Sequence, residues 1–201
     1  MSDHYFTVDP SSSERRQPVT ARVWGRELTL QSAAGVFAAG RLDVGTSVLF
    51  RETKPPTSPG PYLDLGCGYG AIACALATLV PEAQVWAIDV NERALRLCRH
   101  NAKALRVEDR VRAVAPAAIP TAVQFDEIWS NPPIRIGKAA LHELLLEWLP
   151  RLTPAGRAVL VVGKNLGADS LQRWISEQGF SCVRLASAKG FRVLEARPVA
   201  V

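Results

Sequence analysis

From Pro61 onward, short apolar segments that favour β-strands alternate with longer segments that favour helices. The strand-like segments are residues 62–65, 85–88, 111–115, 125–129, 158–162, 180–185 and 191–196. The helix-like segments are residues 71–79, 91–105, 138–149 and 169–177. This alternation predicts an α/β fold, a doubly wound, seven-stranded, mostly parallel sheet with helices on both faces. The last two strand-like segments flank Lys189-Gly190 and predict an antiparallel pair.

The first 54 residues do not follow this alternation. Residues 19–24 and 27–31 alternate in polarity around Gly25-Arg26, which predicts a β-hairpin. Residues 47–50 form a short apolar stretch that fits a short helix, and residues 53–61 are rich in proline and glycine, as a linker is. We therefore expect an N-terminal extension over residues 1–54 and a main domain over residues 55–201.

Charge and hydropathy limit the classes of protein to which this chain can belong. No apolar run approaches the ~20 residues of a membrane-spanning helix. The N-terminus lacks the basic-then-apolar order of a signal peptide, so a cytoplasmic protein is expected. The net charge of +5 permits an acidic partner such as nucleic acid without requiring one. The three scattered histidines and four cysteines predict buried thiols with no metal site and no disulfide framework.

A glycine-rich turn follows the first strand of the main domain. Asp64 and Leu65 lead into Gly66-Cys67-Gly68-Tyr69-Gly70, where glycines let the backbone approach a ligand closely. Asp89 ends the next strand, at about the 20-residue spacing of a carboxylate that binds a ribose diol. Together these features predict a cofactor of adenosine type at the carboxyl ends of the strands. Asp64 either ties the loop down through backbone N–H groups or faces a cationic part of the cofactor.

The tetrapeptide Asn131-Pro132-Pro133-Ile134 ends the fourth strand of the main domain. Consecutive prolines donate no backbone N–H and restrict the residue before each of them, so the segment presents one amide and several carbonyls with little freedom. This suits a pocket that accepts hydrogen bonds from an amino group. The alternative is a plain turn, for which Asn-Pro is a common signal.

These motifs together resemble a class I S-adenosylmethionine-dependent methyltransferase that methylates an exocyclic or side-chain amino nitrogen. Gly35-Val36-Phe37, Leu42-Asp43-Val44-Gly45-Thr46 and the Asn131–Lys138 stretch are similar to the small-domain methyltransferase family. That family includes the catalytic domain of ribosomal small-subunit RNA guanine-N2 methyltransferases. The likeness extends over about residues 4–197, and it implies that residues 55–201 form an S-adenosylmethionine-binding methyltransferase domain.

The resemblance assigns a role to each matching residue. Residues that would cradle the methionine part of the cofactor are Asp64, Gly66, Gly68 and Gly70, and Asp89 would hold the ribose hydroxyls. The catalytic pair would be the Asn131 side chain and the Pro132 carbonyl, which hold the target amine. The substrate-binding residues would be Phe37, Pro133, Ile134 and Arg135.

Two positions depart from the family pattern. The stretch Ala115-Pro116-Ala117-Ala118 lacks the acidic residue that many relatives place near the adenine, so that contact must come from the backbone or from elsewhere in the chain. Ile134 stands where many amino-methyltransferases have an aromatic residue that stacks on the base. We therefore expect Phe37 at the mouth of the pocket, where it takes over the stacking.

The function implied is methylation of an exocyclic amine of a base in RNA, with guanine N2 of ribosomal RNA as the leading target. Adenine N6, a protein glutamine and a small-molecule amine share the same Asn-Pro-Pro chemistry. A non-catalytic RNA-binding factor on the same fold is a further alternative, whereas the glycine spacing disfavours an NAD(P) oxidoreductase. A structured RNA or ribosomal subunit is the expected partner, and both a monomer and a homodimer are compatible with the sequence.

Overall fold

A computed structural model describes residues 15–36, 38, 40–132 and 137–199. The N-terminal part contains strands β1 (Arg16–Val23) and β2 (Arg26–Ala33) and helix α1 (Val44–Glu52). The main domain then contains β3 (Tyr62–Leu65), α2 (Ala71–Leu79), β4 (Val85–Ile88), α3 (Glu92–Ala104), β5 (Val111–Val114), β6 (Phe125–Ser130), α4 (Lys138–Trp148), β7 (Leu152–Gly163), α5 (Ala168–Glu177), β8 (Phe180–Ala188) and β9 (Phe191–Pro198).

The seven strands of the main domain form one sheet in the order β5-β4-β3-β6-β7-β9-β8. The first five strands of this order pair in parallel, while β9 runs antiparallel to both β7 and β8. The predicted doubly wound, mostly parallel sheet and its terminal antiparallel pair are confirmed. The strand order reverses between β3 and β6, and at such a switch point the loops after the two strands diverge and leave a crevice.

Both faces of the sheet are buried. Alternate residues of β3 divide between the two cores: Tyr62 belongs to the core under α2 and α3, and Leu63 and Leu65 belong to the core under α4 and α5. A strand buried on both faces is apolar throughout, and Asp64 is the exception in β3. Burying each leucine stabilises the fold by about 1.5–3 kcal/mol. Burying the Asp64 carboxylate gives no such gain, so its position in this strand needs a separate explanation.

The most C-terminal parallel strand is longer than the sequence pattern indicated. We expected a strand over residues 158–162, whereas β7 runs from Leu152 to Gly163. Its first half contains Pro154 and Gly156, which obscure a strand signal, and its pairing with β6 is irregular there. A Cβ atom at Gly156 would lie 2.9 Å from the Phe125 carbonyl oxygen. The irregular stretch therefore requires glycine because two backbones approach each other closely.

The N-terminal hairpin packs against the main domain. β1 pairs with β2 in antiparallel fashion, as predicted, and their inward-facing residues belong to the same core as α2 and α3. The Asn101 side chain on α3 accepts from the Gln31 N–H at 2.7 Å and donates to the Gln31 carbonyl at 2.9 Å. At the hairpin turn, the Trp24 ring packs edge-on against Phe50 and Trp129. One hydrophobic core joins the two parts of the chain. The division of the chain at residue 54 stays a prediction.

All four cysteines are buried and free, which confirms the expectation of buried thiols. None of the helices in the described ranges is long and apolar enough to cross a membrane.

Candidate active site

The topology brings the glycine-rich turn and the Asn-Pro segment together. β3 and β6 are parallel neighbours, so Gly66 and Asn131 leave the sheet at the same edge. The Ser130 hydroxyl donates a 2.6 Å hydrogen bond to the Leu65 carbonyl and ties the two strand ends together. Between the loops lies an open cleft. It is lined by Ala38, Asp43, Thr46, Gly66, Cys67, Gly68, Tyr69, Ala71, Ile72 and Asn131.

The glycine-rich turn has a backbone conformation that other residues rarely adopt. Gly66, Gly68 and Gly70 have φ values of 77°, 54° and 86°. A Cβ atom at Gly70 would lie 2.5 Å from the Cys98 sulfur, whereas a Cβ atom at Gly68 would meet no heavy atom within 4 Å. Gly70 therefore allows the turn to pack on α3, and Gly68 leaves space for a ligand on the open side.

Asp64 presents a free carboxylate oxygen beneath this turn. The residue is 1% exposed, and its Oδ2 accepts the Ala73 N–H at 2.8 Å. Its Oδ1 is buried and has no hydrogen-bond partner among the described residues. Burial, with smaller contributions from Cys98 and Asp89, raises the pKa of Asp64 well above its ordinary value. Because a buried unpaired acceptor is costly, this oxygen is suited to a cationic ligand group, and Asp64 also ties down the start of α2.

Asp89 holds the turn from the neighbouring strand. It is 6% exposed, its Oδ2 accepts the Gly68 N–H at 2.9 Å, and its Oδ1 accepts the Asn91 N–H at 2.9 Å. Burial raises its pKa, and these backbone N–H groups oppose the rise. A carboxylate has about four lone-pair sites, so Asp89 can also accept a hydrogen bond from a hydroxyl group. The sequence did not indicate that Asp89 also holds Gly68.

An apolar surface lies beside Asp89, where the sequence left the adenine contact open. Val90 directly follows Asp89 and is 52% exposed. After the adjacent strand β5, Pro116–Ala118 form a short 3-10 turn with no buried residue. These small apolar groups could pack against a ligand, and how the adenine is held stays a prediction.

The Asn131 amide has a defined orientation. Its Nδ2 donates to Asp43 Oδ1 at 2.6 Å and to Thr46 Oγ1 at 3.0 Å. An ionised carboxylate only accepts hydrogen bonds, so the NH₂ group of the amide must face Asp43. Its Oδ1 is then directed away from Asp43 and is available as an acceptor in a residue that lines the cleft. The sequence predicted Asn131 as an acceptor, but it did not indicate the two residues that orient it.

The remaining predicted site residues differ in what can be said of them. Pro132 follows Asn131 and is buried. The substrate-binding residues Phe37, Pro133, Ile134 and Arg135 lie outside the described residues, so their roles stay predictions. No group of three or more His, Cys, Asp or Glu side chains within the described part of the chain could hold a metal ion.

The chain is similar to several known proteins. The uncharacterized protein YbxB of Bacillus subtilis is 30% identical over 99% of this chain and 100% of its own length. The ribosomal RNA small subunit methyltransferase C of Pasteurella multocida is 31% identical over 85% of this chain and 52% of its own length. A solved structure, the T. thermophilus 16S rRNA N2 G1207 methyltransferase with AdoMet and guanosine, matches with a TM-score of 0.79 and 26% identity.

That structural match covers 94% of this chain and 52% of the T. thermophilus chain, so this chain spans about half the length of both ribosomal RNA methyltransferases. A family model described as the methyltransferase small domain matches residues 27–195. The parallel sheet, the glycine-rich turn and the Asn-Pro segment all lie within this range. The chain therefore belongs to the methyltransferase small domain family.

Proposed function

We propose that this protein transfers the methyl group of S-adenosylmethionine to the exocyclic amine of a base in RNA, with guanine N2 of ribosomal RNA as its target. The observation that carries the proposal is the Asn131 amide. Asp43 and Thr46 bind its NH₂ group, which leaves its oxygen as the acceptor of this cleft-lining residue, with no donor to it among the described residues. An acceptor at this place recognises a group that donates hydrogen bonds, as an amine does.

The residues around the cleft fit the cofactor. The unpaired Oδ1 of Asp64 suits the ammonium group of the methionine part, and the open side of Gly68 gives that part room. Asp89 binds the ribose hydroxyls through its remaining lone pairs, and the exposed side chain of Val90 packs against the adenine. When bound, S-adenosylmethionine supplies a methyl group that its sulfonium charge makes electrophilic.

The protein contributes orientation. An aromatic amine is a weak nucleophile because its lone pair is delocalised into the ring. The Asn131 oxygen and the Pro132 carbonyl accept its two N–H groups, which favours a pyramidal nitrogen with its lone pair directed at the methyl carbon. Holding two reactants in line in this way supplies much of the rate. The proton leaves the nitrogen to water after the transfer, so no strong base is required.

The comparisons favour RNA and guanine N2 over the alternatives. The T. thermophilus structure is of a 16S rRNA N2 G1207 methyltransferase and contains guanosine. Several relatives are ribosomal RNA small subunit methyltransferases. The net charge of +5 is compatible with an RNA partner. Adenine N6, protein glutamine and small-molecule amines share the chemistry at Asn131, so the product must decide among them.

The product can be identified directly. We expect the purified protein and tritiated S-adenosylmethionine to label total RNA from a strain that lacks the gene, with N2-methylguanosine as the labelled nucleoside. RNA from the parent strain, already methylated at the site, is the control and should accept little label. Label in N6-methyladenosine, in protein or in a small molecule would contradict guanine as the target.

Asp64→Asn separates cofactor binding from folding. The change keeps an acceptor for the Ala73 N–H but removes the buried charge. Because the folded-state pKa of Asp64 is raised, the ligand-free protein loses stability as the pH rises from ~3.9, the unfolded value, to the folded pKa. We expect the variant to lack this loss and to bind S-adenosylmethionine about tenfold or more weakly. Thermal melts across this pH range and calorimetry measure both effects, and wild-type affinity in the variant would remove Asp64 from the site.

Asp89→Ala should weaken cofactor binding through two effects. It removes a charge-assisted bond to the ribose, and it releases the Gly68 N–H that the carboxylate holds. Hydrogen bonds to charged groups contribute about 1.5–3 kcal/mol, so we expect an affinity loss of about tenfold or more. Asp109→Ala, at an exposed turn before β5 on the opposite edge of the sheet, is the matched control for calorimetry. Equal affinities of the two variants would be evidence against a ribose contact at Asp89.

A further inference from the structure

Asp43 and Thr46 lie at the start of α1, far from Asn131 in the sequence. Asp43 caps the helix by accepting the Thr46 N–H at 3.1 Å, and the same Oδ1 accepts the Asn131 amide at 2.6 Å. Thr46 is 6% exposed, and its hydroxyl accepts a hydrogen bond from the Asn131 Nδ2 at 3.0 Å. The helix has little freedom to shift, because a Cβ atom at Gly45 would lie 2.9 Å from the Phe191 ring. The two acceptors therefore have fixed places beside Asn131.

We propose that Asp43 and Thr46 are positioning residues that lock the Asn131 amide in its acceptor orientation and make its oxygen more negative. This inference rests on the proposed function, because it concerns how the amine is held. An asparagine amide can rotate by 180° and exchange its oxygen for its NH₂ group. A hydroxyl group tolerates both orientations, since it donates and accepts, whereas a carboxylate tolerates only one. Asp43 therefore selects the orientation, and Thr46 binds the second N–H.

The negative charge of Asp43 also suits the charge that the reaction creates. The lone pair of the amine forms the new N–CH₃ bond, and the S–CH₃ bonding pair stays on sulfur, so positive charge moves from sulfur to nitrogen. The nitrogen then loses a proton to water. A carboxylate acting through the Asn131 amide stabilises this charge more in the transition state than in the bound amine. Such a contribution raises kcat more than it improves substrate binding.

Two variants remove the lock without removing the helix cap or the local packing. In Asp43→Ser, serine is as good an N-cap as aspartate, but its hydroxyl is one bond shorter, carries no charge and tolerates either orientation of the Asn131 amide. Thr46→Val keeps the shape of threonine and removes the hydroxyl group. We expect kcat to fall about tenfold or more in Asp43→Ser and several-fold in Thr46→Val, with the KM for S-adenosylmethionine nearly unchanged. Thr46→Ser should restore most of the rate lost in Thr46→Val.

A reciprocal exchange tests the contact itself. Asn131→Asp alone places two carboxylates against each other and should lose more than tenfold in kcat. Adding Asp43→Asn restores a donor and an acceptor with their roles exchanged, so the double variant should recover a large part of that loss. Wild-type kcat in Asp43→Ser and Thr46→Val, or a double variant no faster than Asn131→Asp, would overturn the inference.

An amide NMR measurement keeps this test separate from the proposed function. The Asn131 side-chain NH₂ signal, assigned by its disappearance in Asn131→Asp, should be shifted by its two partners and should move towards free-amide values in Asp43→Ser. An unmoved signal would overturn the lock whether or not the protein methylates RNA. A wild-type protein that labels no RNA, with the signal moving as expected, would refute the proposed function and leave the lock supported.

Discussion

Asn131→Ala is expected to lower kcat for methyl transfer about a hundredfold, while S-adenosylmethionine binds within about twofold of the wild-type affinity. The size follows from loss of a preorganised polar group at the reacting centre, which costs on the order of 10²–10³ in kcat. Cofactor binding should survive because the residues assigned to it keep their contacts: the Gly68 N–H still donates to Asp89, and the Ala73 N–H still donates to Asp64. The backbone should also survive, since Pro132 still restricts the strand end.

Single-turnover methyl transfer and calorimetry on one preparation of Asn131→Ala measure the two quantities. Thr78→Ala on the cofactor-side helix α2, which is outside the cleft-lining set, serves as a control for general loss of activity on mutation. A stable Asn131→Ala protein that binds cofactor and methylates at the wild-type rate would show that Asn131 is a turn residue. The non-catalytic alternative, an RNA-binding factor on this fold, would then be favoured.

Gly70→Ala and Gly68→Ala are expected to fail for opposite reasons. At Gly70 the new Cβ would lie 2.5 Å from the Cys98 sulfur and 3.1 Å from the Cys98 Cα, with φ at +86°. A positive φ costs an alanine roughly 1–2 kcal/mol, and overpacking costs about 1–3 kcal/mol more. A loss of about 3 kcal/mol lowers Tm by roughly 6–12 °C in a chain of this size. The principal effect of Gly70→Ala should therefore be on folding.

Gly68→Ala is the matched comparison. Its φ of +54° carries a similar backbone cost, but no heavy atom lies within 4 Å of the new Cβ. We expect a Tm loss of only a few degrees, from about 1–2 kcal/mol, and a large loss of S-adenosylmethionine affinity because the methyl group occupies the open side of the turn. Thermal melts and calorimetry on both variants are the measurement. Equal Tm losses, or unchanged cofactor affinity in Gly68→Ala, would contradict the account of the turn.

The sequence predicted best where local chemistry determines structure. The bounds of β3, α2 and β4 match the expected ranges, because each is a short apolar run that ends at aspartate, glycine or proline. Asn91 caps α3 as expected, with its side chain accepting from the Arg93 and Ala94 N–H groups. The sequence pattern did not predict the first half of β7, where backbone pairing overrides local preference.

The site was predictable in part for the same reason. Asp64, Asp89 and Asn131 each follow or end a strand, and the parallel topology alone brings strand ends together. The contacts that orient Asn131 were not predictable. Thr46 and Asp43 precede Asn131 by 85 and 88 residues, and their contact with it depends on where α1 packs. The unpaired oxygen of Asp64 is likewise a property of the folded backbone, since within the described ranges the Ala73 N–H donates to the other oxygen and no group donates to this one.

A structure of the protein with S-adenosylhomocysteine and guanosine tests the central claim most directly. The account predicts that guanine N2 lies within hydrogen-bond distance of the Asn131 Oδ1 and the Pro132 carbonyl, on the side of the nitrogen that faces the cofactor sulfur. Asp43 and Thr46 should still bind the Asn131 NH₂ group in that complex. Guanosine bound away from Asn131, or an Asn131 amide that presents its NH₂ group to the base, would contradict the account.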